Sequence, residues 1–393
     1  MRVYLDHAAT TPLDKKALKK MLPYFSEAFG NASSLHAFGR EAKKAVDLAR
    51  QEVAKTLNCK DSEVYFTSGG TESDNFAIFG YCRQNKHKGN RIITTKIEHH
   101  AVINVFKTLE KEGFDVVYLD VNKDGLVELE TLEKAINDKT IFVSVMFANN
   151  EIGTIQPIKE IGKLCKQKNI VFHTDAVQAV GAEILDVKEQ NIDLLSLSAH
   201  KFYGPKGIGV LYVKNGIKLE RLILGGAQER NMRGGTINTP LIVGLCEAIK
   251  AAAAGIEKNN AHNKVLRDRL INRILDEIPY SKLNGHSKNR LSNNANFSFE
   301  FIEGESILMM LDLNGIAVSS GSACSSGSLE PSHVLLACGI PVEVAHGSIR
   351  FTVGKGNTIE EIDYTVETLK TVIEKLRKMS PLFKPKRGES IHV

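Results

Sequence analysis

Between residues 63 and 213 the chain alternates short apolar runs with longer stretches of helical period. The runs are EVYFTS, RIITT, DVVYLDV, TIFVSVMFA, IVFHTDA, DLLSLSA and GIGVLYV, rich in β-branched residues and apolar on consecutive positions. A strand with no polar face is a strand covered on both sides. The pattern therefore predicts an α/β fold whose mostly parallel, seven-stranded sheet lies between two layers of helices. After about residue 240 the rhythm changes: PLIVGLCEAIKAAAAGIEKNNAHNKVLRDRLINRIL reads as one long helix or two abutting ones. Beyond it, NANFSFEF, GIAVSS and SIRFTV read as strands, and ESILMMLDL and TIEEIDYTVETLKTVIEKLRKM as helices, which makes a smaller α+β unit. The final residues, SPLFKPKRGESIHV, read as a tail.

Composition narrows the class. With 393 residues, 42% hydrophobic and 25% charged, the chain has the globular balance and the length for a large and a small domain. A net charge of +5 is spread along the chain, with no basic block or interleaved aromatics, so no direct nucleic-acid partner is expected. No leader-like apolar run opens the sequence, and no stretch of about 18 uninterrupted apolar residues follows, so a cytoplasmic protein without a membrane partner is expected. The cysteines at 59, 82, 165, 246, 324 and 338 never form a CxxC pair, which points away from structural zinc. Five of them read as small buried hydrophobes. The sixth, Cys324, stands in SSGSACSSGS, a stretch that cannot build a core and reads by itself as a surface linker with a thiol.

Polar residues collect just after the apolar runs, where ligands of open α/β sheets sit. EVYFTS is followed by GGTESDN, where Gly70 permits close backbone approach and Thr71 opens a helix. Its free amides and the Thr71 hydroxyl suit a phosphate, although Thr71 and Asp74 are also spaced like a capping box. TIFVSVMFA ends in Asn149 and Asn150, a turn when taken alone. IVFHT ends in Asp175, with Gln178 beyond it; a carboxylate there needs a cationic partner, either a structural arginine or the protonated nitrogen of a pyridine ring. DLLSLSA leads into His200 and Lys201 before a Gly-Pro turn. An amine in that position faces a cavity, loses hydration and becomes a nucleophile toward an aldehyde. Lys206, inside the turn, is the competing lysine and suits a solvated role. A phosphate cradle, a carboxylate for a pyridinium and a cavity lysine are together the parts that hold pyridoxal 5'-phosphate.

The motifs GNASSLHAFG, SGGTESDN, IEHHAV, NNEIG, HTDAVQAVG, SAHKFYGPKGIG, MRGGTIN and SSGSACSSGSLEPSHVL carry a resemblance. From YLDHAATTP to SIRFTVGKGNT the chain resembles the NifS/IscS-like cysteine desulfurases, class V aminotransferases of pyridoxal-phosphate fold type I. The resemblance implies that Lys201 bonds the cofactor aldehyde, Asp175 meets its ring nitrogen, Gln178 its ring hydroxyl, and His99 stacks on the ring and helps move protons. It places the phosphate on Gly70, Thr71, Ser198 and His200, with Thr236 arriving from the other subunit of a homodimer. Asn150 and Arg350 would receive the substrate carboxylate, although an inter-strand salt bridge is the other reading of Arg350. Cys324 would take sulfur from L-cysteine as a persulfide and pass it to an iron-sulfur scaffold protein or another acceptor; it is also a possible transient cluster ligand. Gly70 replaces a frequent alanine and Ala32 a usual proline, and neither removes a functional group. The expected division is a large domain over 15–255 and a small one from 1–14 and 256–393, carrying a mobile cysteine loop at about 319–330. A selenocysteine lyase or another class V aminotransferase is the enzymatic alternative, and a non-catalytic scaffold the other.

Overall fold

The computed structural model describes residues 1–320 and 330–383. Cys324 lies outside the described residues, as do most of the expected cysteine loop and the last part of the tail.

The strands are β1 Val3–Tyr4, β2 Val64–Thr67, β3 Arg91–Thr95, β4 Asp115–Leu119, β5 Thr140–Ser144, β6 Val171–Asp175, β7 Leu194–Ser198, β8 Gly209–Val213, β9 Ser281–Asn284, β10 Asn294–Phe299, β11 Ile316–Ala317, β12 Ser319–Ser320 and β13 Ser348–Thr352. Seven of them form the central sheet in the order β2-β8-β7-β6-β5-β3-β4. From β7 through β4 every pair is parallel. Only β8 is antiparallel to its neighbours, β2 and β7. The cause is the connection: residues 199–208 lie between β7 and β8, too few to build a crossover helix, so the chain must turn straight back.

Both faces are covered, as the unbroken apolar runs require. Along β8, Val210 and Tyr212 face one core while Leu211 and Val213 face another. The first core takes in the helices Ala37–Thr56 and Ile158–Gln167, and the second the helices Gly70–Asn85 and His100–Lys111.

A four-stranded antiparallel sheet, β12-β13-β10-β9, builds the smaller unit with the helices Gly304–Leu313 and Ile359–Met379. β1 joins this side through a parallel pairing with β11, and Val3 and Leu5 enter its core. The long helical pattern is one helix, Thr239–Glu277, of 39 residues, which at 1.5 Å per residue spans roughly 58 Å. Its first half, through Ile242, Leu245 and Ile249, packs in the large unit, and its second half, through Leu266, Leu270 and Ile274, in the small one. It is long and apolar enough to cross a membrane by length and composition, yet half of its most apolar window is buried inside the fold. Cys82, Cys165, Cys246 and Cys338 are buried and Cys59 is half-buried.

Candidate active site

A cavity of about 310 Å³ opens at the carboxyl ends of the parallel strands. β6 ends in it with Asp175, β7 with Ser198, and the loop beyond β5 brings Asn150. Gly70, Thr71, His99, Gln178, His200, Lys201 and Arg350 complete the wall. Thr236 is not among these residues: it is exposed and lines a separate hollow with Ser68 and Arg233.

The lysine reaches the cavity because β7 runs into one short turn, Ala199–Lys201. Gly204 permits the chain to double back, since a Cβ there would stand 2.7 Å from the Ala199 side chain. The N-terminal segment then grips the turn. Lys201 Nζ donates to the carbonyls of Ala8 at 2.5 Å and Ala9 at 2.9 Å. Thr11 donates to the His200 carbonyl through both its N–H and its hydroxyl. Gln178 Nε2 also donates to Ala8, at 3.0 Å. Lys206 is exposed, as its place in the turn suggested.

Asp175 is 6% exposed and accepts from the Val177 N–H at 2.9 Å. No arginine pairs with it among the described residues, which removes the structural-arginine reading. Asp74, 1% exposed, faces the same cavity, and its Oδ1 has no hydrogen-bond partner among the described residues. It stands 3.6 Å from His173 Nε2. Burial pushes both acids up, and the Asp175 and Glu98 carboxylates raise the cost of ionising Asp74 further. The capping-box alternative for Thr71 and Asp74 also fails: Gly69 is the N-cap, without a side-chain bond, and both residues lie inside the helix.

His99 caps the helix His100–Lys111, its Nδ1 accepting from the Ala101 N–H at 3.1 Å. Burial and the nearby Lys201, His100 and His333 hold its pKa down to about 4, so the ring is neutral near pH 7 with its proton on Nε2. Burial, with Lys201 and Lys206, likewise holds His200 at about 4. Arg350 is 2% exposed; Nη2 donates to Asp6 at 2.9 Å and Nη1 to the Asn150 carbonyl at 2.9 Å. The salt bridge foreseen as the other reading of Arg350 thus exists and still leaves the residue on the cavity wall.

Three contributors escaped the sequence reading. Glu98 is fully buried, accepts from the Thr95 hydroxyl and the Met146 N–H, and is pushed up by burial to about 8. Asp74 was visible only as a cap, and the Ala8 and Ala9 carbonyls carry no side-chain signal. The one available hint was the position of Glu98 directly before His99.

The pattern of the Aminotransferase class-V family matches residues 3–365. The chain belongs to the aminotransferase class-V family. A relative named cysteine desulfurase IscS, from Clostridium botulinum (strain Hall), is 58% identical over 384 residues, 97% of each chain. A solved NifS-like protein superposes with a TM-score of 0.90 at 38% identity, covering 96% of this chain and all of that one. The solved structure described as SspA in complex with cysteine gives 0.80 at 37% identity, over 91% of this chain and all of that one. Class-V aminotransferases use pyridoxal 5'-phosphate, and it is the cofactor of this chain.

The cavity suits that group. Two buried carboxylates without an arginine call for a cationic ligand atom, which a protonated pyridine nitrogen supplies. A helix begins at Gly70 with its amides free for a phosphate, and a Cβ at Gly70 would stand 2.7 Å from a Val177 methyl. The Lys201 amine belongs to the same cavity.

Proposed function

We propose that this chain is a cysteine desulfurase, taking the sulfur of L-cysteine onto Cys324 and releasing L-alanine. One observation carries the reading. The described segments on either side of Cys324 are each fixed next to a residue of the cavity wall: Ser319 pairs with Arg350 across β12 and β13, and Ser332 bonds Glu151, the neighbour of Asn150.

Lys201 would be the residue that bonds the cofactor aldehyde and moves the α-proton of the substrate, its amine aimed by Ala8 and Ala9. When bound, pyridoxal phosphate supplies a ring that draws electrons from the substrate α-carbon. Asp175, with Asp74 beside it, would hold the ring nitrogen, Gln178 the ring hydroxyl, and neutral His99 the ring face. Gly70, Thr71, Ser198, His200 and Thr236 of the partner subunit take the phosphate. Arg350 and Asn150 would receive the substrate carboxylate, at a guanidinium already paired with Asp6. The Cys324 thiolate then forms an S–S bond with the substrate sulfur. The substrate C–S bond breaks, its electron pair stays on carbon, and protonation there completes alanine.

The exposed Phe25, Phe29, Leu35 and Phe38 support a homodimer, which would also bring Thr236 to the phosphate. The acceptor of the sulfur is read as an iron-sulfur scaffold protein or another sulfur carrier, and the location as cytoplasmic. We also propose that the large and small domains divide within the long helix, near residue 255.

Incubation with L-cysteine should add one sulfur atom to the peptide containing Cys324, found by mass spectrometry, with alanine formed alongside. Cys324→Ala should bind cofactor and L-cysteine yet carry no added sulfur. Normal sulfide release by that variant would overturn the assignment.

A further inference from the structure

The turn after β5 carries, beside Asn150, a carboxylate that none of the steps above uses. Glu151 is 6% exposed and is held from several directions. Its N–H donates to Asn149 Oδ1 at 2.9 Å, and its carbonyl accepts from the side-chain amides of Asn294 and Asn296 on β10, each at 3.2 Å. Its carboxylate accepts from the Ser332 hydroxyl at 2.5 Å. That same hydroxyl accepts from the Leu335 N–H and so caps the helix His333–Ala337. The next residue, His333, bonds the carbonyl of Glu98 at 2.9 Å through Nε2.

The arrangement has a logic that the separate bonds do not show. His99 and Asn150 line the cavity, and their chain neighbours Glu98 and Glu151 both hold the start of the helix that follows the Cys324 segment in sequence. A buried carboxylate is a costly way to make one hydrogen bond, and burial does push this one up to about 7 against the pull of Ser332 and Arg350. The gain is a hydrogen bond held at a fixed place.

We propose that Glu151 is a positioning residue for sulfur transfer: by receiving the Ser332 hydroxyl, it fixes where the chain bearing Cys324 re-enters the fold, against the wall formed by Asn150 and Arg350. The inference rests on the role of Cys324 proposed above. Glu151 touches no reacting atom. It anchors one end of the segment that carries the thiol, and small errors of placement in reacting groups are expensive in rate.

The test uses the purified holoenzyme and its variants Glu151→Gln, Glu151→Leu and Ser332→Ala. Single-turnover formation of the Cys324 persulfide should slow by about tenfold in Glu151→Leu and in Ser332→Ala, and stay near the wild-type rate in Glu151→Gln, whose amide oxygen still accepts from Ser332. The double variant Glu151→Leu with Ser332→Ala should be no slower than either single one. In a Cys324→Ala background, the cofactor absorbance change on adding L-cysteine should keep its amplitude and half-saturation in Ser332→Ala.

Equal persulfide rates in all variants overturn the proposal. So does a parallel loss of the absorbance change, which would make the pair a support of the substrate site. If Glu151→Leu fails to fold, Ser332→Ala alone decides. A wild-type enzyme that forms no persulfide on Cys324 fells the cysteine desulfurase reading and this one with it, whereas an active wild type with indifferent variants sinks this one alone.

Discussion

Glu98 is fully buried beside His99 and holds its proton up to about 8, because burial disfavours its charge more than Thr95 and Met146 stabilise it. An unfolded glutamate ionises near 4.3. Between about 4.3 and 8, then, the folded chain keeps a proton that the unfolded chain has released, and stability falls as pH rises through that window. His99 and His173 work in the opposite sense: burial holds them near 4 and 3, so stability is lost as pH falls below about 6.5. Replacing Glu98 with glutamine isolates its share. In urea unfolding of the holoenzyme at pH 5 and pH 8, Glu98→Gln should lose less stability on going to pH 8 than the wild type does, every tenfold difference in proton affinity between folded and unfolded chain counting on the order of 1.4 kcal/mol. An unchanged difference would mean that Glu98 ionises normally. At Lys201 a related check applies: Lys201→Ala should lose the cofactor adduct trapped by borohydride, and its persistence would move that role to Lys206. Lys201 and Asp175 were legible because charged groups at the ends of apolar strands have few other uses. Asp74 and Glu98 were not, since nothing local in a helix or a turn tells a buried carboxylate from a solvated one.

Among the elements, the helix start at Gly70 is the part of the proposed phosphate site that relies least on side chains. A Cβ at Gly70 would meet only the far methyl of Val177, at 2.7 Å, with the Ser198 Cβ at 3.5 Å. Gly70→Ala should therefore be accommodated by a small turn of Val177, whereas Gly70→Val should crowd the phosphate and weaken cofactor affinity by about tenfold or more, read from absorbance titration. Equal affinities would show that the phosphate sits elsewhere. The strands were readable as strands because residues buried on both faces leave unbroken apolar runs. Their directions were less so: the reversal of β8 follows from the length of its connection, while an apolar run has no arrow. The capping box supports the same lesson in both senses. Thr358 and Glu361 form one at the start of the helix Ile359–Met379, yet the same spacing at Thr71 and Asp74 does not, because the N-cap there is Gly69, two residues before Thr71, and Asp74 turns inward.

For the whole molecule, Thr236 lies in another hollow, so its proposed part in the phosphate site requires a second copy of the chain. The patch of Phe25 and Phe29, 58% and 65% exposed, is the surface that a second copy would cover. Burying such a ring contributes about 1.5–3 kcal/mol, so Phe25→Ser with Phe29→Ser should shift the protein toward monomer in sedimentation and release cofactor on dilution. Retained assembly would place the contact on another face.

The opening residues of the chain finish the site, because Ala8 and Ala9 aim the lysine while Val3 pairs with Ile316 and Asp6 with Arg350. Val3 and Asp6 therefore find these partners only when β11 and β13, far along the chain, are in place. Chains truncated before β13 should accordingly take up pyridoxal phosphate more weakly than the full chain, however complete their large sheet.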